Sequence, residues 1–95
     1  MLVVRQTSVF SRWLKRLDDP RTAEIISRRV ARLEAGVFGD AKYFDGIGEL
    51  RIDHGPGYRL YFVRRGREIV VLLCAGTKGS QDRDIVRAKG LAKEV

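Results

Sequence analysis

The stretch from Tyr58 to Ala75, "YRLYFVRRGREIVVLLCA", constrains the fold more than any other. Two strand-like runs are joined only by the turn around "RGR", so they must pair antiparallel as a hairpin. The second run, Glu68–Ala75, is almost wholly apolar after its first residue. A strand with apolar side chains on both faces must be buried on both faces, so this is expected to be the most buried strand. A third run, Glu49–Asp53, precedes the pair across the linker "HGPG" and is expected to extend the sheet by another hairpin.

The elements upstream read as helices. Leu2–Arg5 is short and β-branched and reads as an opening strand. Thr7 or Ser8 can cap a helix in which Val9, Phe10, Trp13, Leu14 and Leu17 recur at helical spacing. Asp18 and Asp19 stop it. Asp19 and Pro20 then open a second helix as cap and first residue. Its apolar face is Ala23, Ile26, Val30 and Leu33, and Gly36 ends it. Residues 37–47, rich in turn signals, read as a loop. Ser80, with Asp82 and Asp84 in the first turn, opens a last helix. The order β-α-α-β-β-β-α predicts one α+β domain over 1–95. A helical hairpin is expected to pack on a small antiparallel sheet, with a C-terminal helix.

Side chains alternate along a strand, so the hairpins sort residues by face. Leu50, Ile52, Leu60 and Phe62 fall on the face expected to meet the helices. Arg51, Arg59 and Tyr61 fall together on the other face. The plain reading is cross-strand pairing, in which Arg51 and Arg59 neutralise Glu49 and Asp53. The functional reading starts from the repulsion of like charges on neighbouring strands, which a polyanion would relieve. Lys78, between Gly76 and Gly79 in "AGTKGSQ", adds a cation just past the apolar strand. The glycines permit close backbone approach, and the following helix start offers free N–H groups.

Charge bears on the choice. The chain has 19 Lys plus Arg, 14 of them Arg, against 12 Asp plus Glu, for a net charge of +7. Arginine forks grip phosphate in bidentate fashion. The leading partners are therefore a nucleic acid or an acidic protein, with an undedicated basic surface as the plain reading. No run approaches the roughly 20 apolar residues of a membrane span, and no membrane role is expected. The first residues lack a signal-peptide shape, and the single cysteine fits a reducing cytoplasm. His54, the only histidine, is a candidate for acid–base work, but a turn position beside Gly55 and Pro56 favours an exposed turn residue. No metal site is completed and no cofactor motif is present. Cys74 is expected to be a small buried hydrophobe and Trp13 a helix-packing core residue.

The blocks "ELRIDHGPGYRLYF" and "VVLLCAGTKGSQDRDIVRAK" resemble the RelE/HigB superfamily of type II toxins, in the branch of addiction-module killer proteins. The helix pair and leading strand extend the resemblance over nearly the whole chain. It implies a RelE/ParE-like fold with an open, basic concave face opposite the helical hairpin. It also implies a ribosome-dependent endoribonuclease that cuts mRNA in the ribosomal A site. The implied partner is a cognate helix-turn-helix antitoxin, and operator DNA is bound only through that antitoxin. Arg59 matches the strand arginine that contacts the scissile phosphate. Arg51 and Lys78 fall near two further basic positions. Several relatives carry a C-terminal tyrosine or histidine as the acid–base group. Here "SQDRDIVRAKGLAKEV" has neither, which leaves Tyr61, His54 or a lysine for proton work.

RNA cleavage through the 2′-OH needs alignment and charge stabilisation more than covalent machinery, so arginines without a metal suffice. The expected function is thus a translation-inhibiting mRNA interferase. Arg59, Arg51, Lys78 and Tyr61 are its expected catalytic groups, and the same four with Arg83 are the expected RNA contacts. The alternative is a non-enzymatic basic binding module or a ParE-like gyrase inhibitor. An acidic antitoxin segment is expected near the last helix or over Arg51 and Arg59. The competing docking site is the helical hairpin, through Arg28, Arg29 and Arg32.

Overall fold

The computed structural model describes all residues, Met1–Val95. The apolar run lies where its composition demands. Strand β5, Ile69–Thr77, has a neighbour on each side, with order β1-β5-β4-β3-β2 across a five-stranded sheet. The other strands are β1 Val3–Gln6, β2 Ala41–Phe44, β3 Ile47–Ile52 and β4 Tyr58–Arg65. Helices α1 Ser8–Lys15 and α2 Pro20–Glu34 follow β1, and α3 Gln81–Ala92 follows a single 3-10 turn, Lys78–Ser80. The fold is α+β, with a mixed sheet. The expectation of a purely antiparallel sheet is corrected by β1, which pairs parallel to β5, Val3 beside Ile69.

The loop expected at 37–47 contains a fourth hairpin-forming strand. Phe44 pairs with Ile47 across a two-residue turn, Asp45 and Gly46. Both turn residues have positive φ, 50° and 82°, which matches the right-handed twist of a tight hairpin. Asp and Gly are the residues that tolerate that backbone.

The first two helix caps hold, whereas Ser80 precedes α3 without a capping hydrogen bond, its hydroxyl donating to Asp84 instead. Thr7 caps α1, its hydroxyl oxygen accepting from Phe10 N–H at 3.1 Å and donating to the Leu73 carbonyl at 2.6 Å. Asp19 caps α2 through Arg21 N–H, with Pro20 in the first turn. The hairpin α1–α2 covers one face of the sheet. Phe10, Ile26 and Leu33 pack there with Leu50, Ile52, Leu60, Phe62, Val70 and Leu72. This is the inward set that strand alternation gave.

The second face differs from expectation. Helix α3 lies over it and buries Tyr61, Val63, Val71, Leu73, Cys74 and Ala88 in a second core. The register shifts between Tyr61 and Phe62, so Leu73 is inserted as a bulge that turns it, like Cys74, toward α3. The open basic face is therefore confined to the end of the sheet near the β3–β4 turn. Arg65 fixes the far end of α3, donating to the Ala92 and Val95 carbonyls, which a helix end leaves without partners. No helix is long and apolar enough to cross a membrane.

Candidate functional site

The β3–β4 register sets Arg51 directly opposite Arg59, and Arg59 in turn opposite Gly76 of β5. Both arginines are half-buried. Arg51 is held by Asp40, whose Oδ1 accepts from Nη2 at 2.8 Å and from Nε at 3.2 Å. That hydrogen-bonded carboxylate pushes the guanidinium pKa up, so Arg51 stays charged. Pairing with Glu49 or Asp53 is thus not what the structure has; the partner comes from the segment before β2.

Arg59 has no ion-pair partner. Its Nη1 donates to the Tyr58 carbonyl at 3.3 Å, and its buried Nε donates to nothing. The turn glycine Gly57 lies between Arg59 and Lys78, and its carbonyl accepts from Lys78 N–H at 2.7 Å. Arg51, Arg59 and Lys78 line one cleft of about 520 Å³ with Asp40, Asp53 and Gly57. Lys78 also borders a neighbouring hollow of about 370 Å³ shared with Gln81, Asp82 and Arg83. No hydrophobic residue lines either space. Four of the five expected RNA contacts therefore form one polar, cation-rich surface.

Tyr61 is the exception. Its strand phase is the expected one, but α3 buries it completely. Burial pushes its hydroxyl pKa up, and the nearby Glu49 and Asp84 charges push it further. The hydroxyl makes no hydrogen bond. From this position Tyr61 neither stacks on a base nor gives up a proton near neutrality.

Residue-level reasoning missed two carboxylates beneath the arginine row. Glu49, opposite Tyr61, is fully buried. Its Oε2 accepts from Gln81 Nε2 at 2.8 Å and its Oε1 has no partner. Asp84 is also buried and accepts from the Ser80 hydroxyl. Gly76 makes room for it: a Cβ at Gly76 would stand 1.8 Å from Asp84 Oδ2. The sequence shows that Glu49 shares a face with Arg51, but not that α3 shuts it in.

Arg29 was a candidate for partner docking, and the structure gives it another task. It donates to the carbonyls of Phe38, Asp40 and Arg51, at 2.8 to 3.2 Å. It thereby orders both members of the Asp40–Arg51 pair. Arg28 is paired with Glu24 at 2.5 Å. His54 is pinned rather than free: its Nε2 is 3.0 Å from Thr22 Oγ1, which lies 2.9 Å from Asp19 Oδ2. A hydroxyl has one proton. If Thr22 donates to Asp19, it accepts from His54, and His54 lies outside the arginine cleft. No group of three or more His, Cys, Asp and Glu side chains comes together as a metal-ligand set.

No known family profile matches the chain. It is similar to an uncharacterized protein of Haemophilus influenzae, 46% identical over 93 residues, a stretch covering 97% of this chain and 94% of that protein.

Proposed function

The chain belongs to one family with that Haemophilus influenzae protein, and we propose that it is the toxin of a type II toxin–antitoxin system, a RelE/HigB-like, metal-independent endoribonuclease that cuts mRNA on the ribosome. The observation that carries this reading is Arg59, a cation without an ion-pair partner, opposite Arg51 in a cleft of charged side chains and turn residues that also holds Lys78. Arg59 anchors the scissile phosphate and stabilises charge on the phosphorane as the 2′-OH attacks. Arg51, oriented by Asp40, and Lys78 supply further positive charge, and Arg83 extends the contact surface. Of the carboxylates near the arginines, Asp40 is engaged by Arg51, Asp53 lines the cleft exposed, and the third, Glu49, is buried. It reaches a 2′-OH proton only when Gln81 and the start of α3 move aside. The partners on this reading are ribosome-bound mRNA and a cognate helix-turn-helix antitoxin, through which operator DNA is bound, all in the cytoplasm.

A second reading has its own observation. Two groups beside the arginines that can move a proton, Glu49 and Tyr61, are shut away from solvent, and Asp40 is bound to Arg51, which leaves Asp53 as the one free carboxylate in the cleft. A binding module or a ParE-like gyrase inhibitor needs the basic surface and no proton transfer. Translation in vitro separates the two: ribosome-dependent shortening of mRNA supports the nuclease, and intact mRNA with blocked gyrase supports the inhibitor.

A further inference from the structure

A second cation cluster lies outside the arginine row. Arg12 on α1, Arg16 at its C-cap and Arg87 on α3 line a cleft of about 340 Å³ with Val9, Trp13 and Ala75. All three arginines are exposed, and none is in an ion pair. Arg12 is in the last turn of α1 and Arg16 at its C-cap, where the helix dipole favours cations, so the helix accommodates both charges and leaves them available to an anion. β1 pairs with β5 as far as Leu72 and the Thr7 hydroxyl covers the Leu73 carbonyl, so β5 reaches this cleft at Ala75. Ala75, in the cleft wall, is three residues before Lys78, or roughly 10 Å along an extended strand. Arg83 stands one helical turn from Arg87 on α3. The cations Arg59, Lys78, Arg83, Arg87, Arg12 and Arg16 thus form a track around the start of α3.

We propose that this cleft binds the sugar–phosphate backbone of single-stranded RNA flanking the phosphate held at Arg59. The inference rests on the reading of Arg59 as a phosphate anchor. Three guanidinium forks suit phosphate oxygens. The half-buried Trp13 indole offers a face or edge to an unstacked base, a combination that marks single-stranded nucleic-acid tracks. A regularly charged polymer satisfies both cation clusters at once, whereas a small anion would satisfy one.

The test is binding of 2′-O-methyl RNA oligonucleotides, which cannot be cleaved, at two lengths of about 4 and about 12 nucleotides. The protein variants are Arg12→Gln/Arg16→Gln/Arg87→Gln, the pair Arg12→Gln/Arg16→Gln, and Arg59→Gln, each checked for an unchanged melting curve. The wild type is expected to bind the longer RNA more tightly and with a steeper salt dependence. The triple variant loses that advantage, keeps the affinity for the short RNA, and has a log–log salt slope shallower by about 2. The pair variant shows an intermediate slope. A triple variant that binds the long RNA like the wild type overturns the proposal, and so does one that loses only a polyglutamate peptide. If Arg59→Gln abolishes binding of the short RNA in the same series, the anchor reading survives that failure. A wild type that binds neither RNA overturns both.

Discussion

Arg51 and Arg59 face each other across β3 and β4, yet only Arg51 has a carboxylate, Asp40 at 2.8 Å. Two guanidiniums on adjacent strands repel, and one acid leaves the pair with net positive charge. The asymmetry divides the work. Arg51 is held in place by Asp40, and on the proposed function Arg59 keeps its donors for the phosphate.

Arg29 is expected to govern how well Arg51 is placed. Arg29→Met strips three carbonyls of a charged donor and should lower unfolding free energy by about 3 kcal/mol in urea titrations. Arg29→Lys should rescue little, because an ammonium cannot fork across three carbonyls. Wild-type stability in the lysine variant would show that the fork is not what matters.

Gly76→Ala places a methyl group against Asp84 and should destabilise by about 2 kcal/mol or more, by displacing the start of α3. Adding Asp84→Ala should recover part of that loss. A double-mutant cycle reads the coupling; strictly additive losses would mean that the two residues do not meet.

Tyr61→Phe removes a buried hydroxyl that has no hydrogen-bond partner, so stability should rise by about 1 kcal/mol while RNA affinity hardly changes. Lost RNA binding with an intact melting curve would put the tyrosine on the surface. Glu49→Gln is the sharper companion. It should leave RNA affinity unchanged and lower the cleavage rate if α3 opens to admit the carboxylate. Unchanged cleavage would remove Glu49 from the chemistry.

Cys74 is buried, and burial, with the Asp84 charge, pushes its thiol from 9.0 up to about 12. The folded thiol keeps its proton at pH values where the unfolded thiol loses it. Stability should therefore be unaffected by this group below pH 9 and fall as pH rises from there toward about 12. At pH 8 a thiol reagent should label the native protein far more slowly than the urea-unfolded chain. Equal rates would mean that α3 does not seal the second core.

Much of this arrangement is legible in the residues. Alternation places Leu50, Ile52, Leu60 and Phe62 inward, and Arg51 and Arg59 opposite them, because period-2 geometry is local. The β2 hairpin also has a local signal, since "YFDGI" carries an Asp-Gly turn between apolar residues, but the surrounding turn residues make the segment read as loop. Other features depend on contacts distant in sequence. Nothing near Tyr61 or Glu49 reveals that α3 will cover them. Nothing near Arg51 reveals that Asp40 will reach it, or that Arg29 on α2 will hold both. The parallel pairing of β1 depends on where the helical hairpin returns the chain.

The central claim is that Arg59 stabilises a cleaved phosphate. It is tested most directly by adding purified protein to a translation reaction and mapping mRNA ends, with wild type beside Arg59→Ala. The wild type should cut mRNA only when ribosomes are present. The alanine variant, with an unchanged melting curve, should cut about a hundredfold more slowly or worse, the typical loss for one preorganised donor to developing charge. Full-length mRNA with the wild type, or equal cutting by Arg59→Ala, would contradict the account.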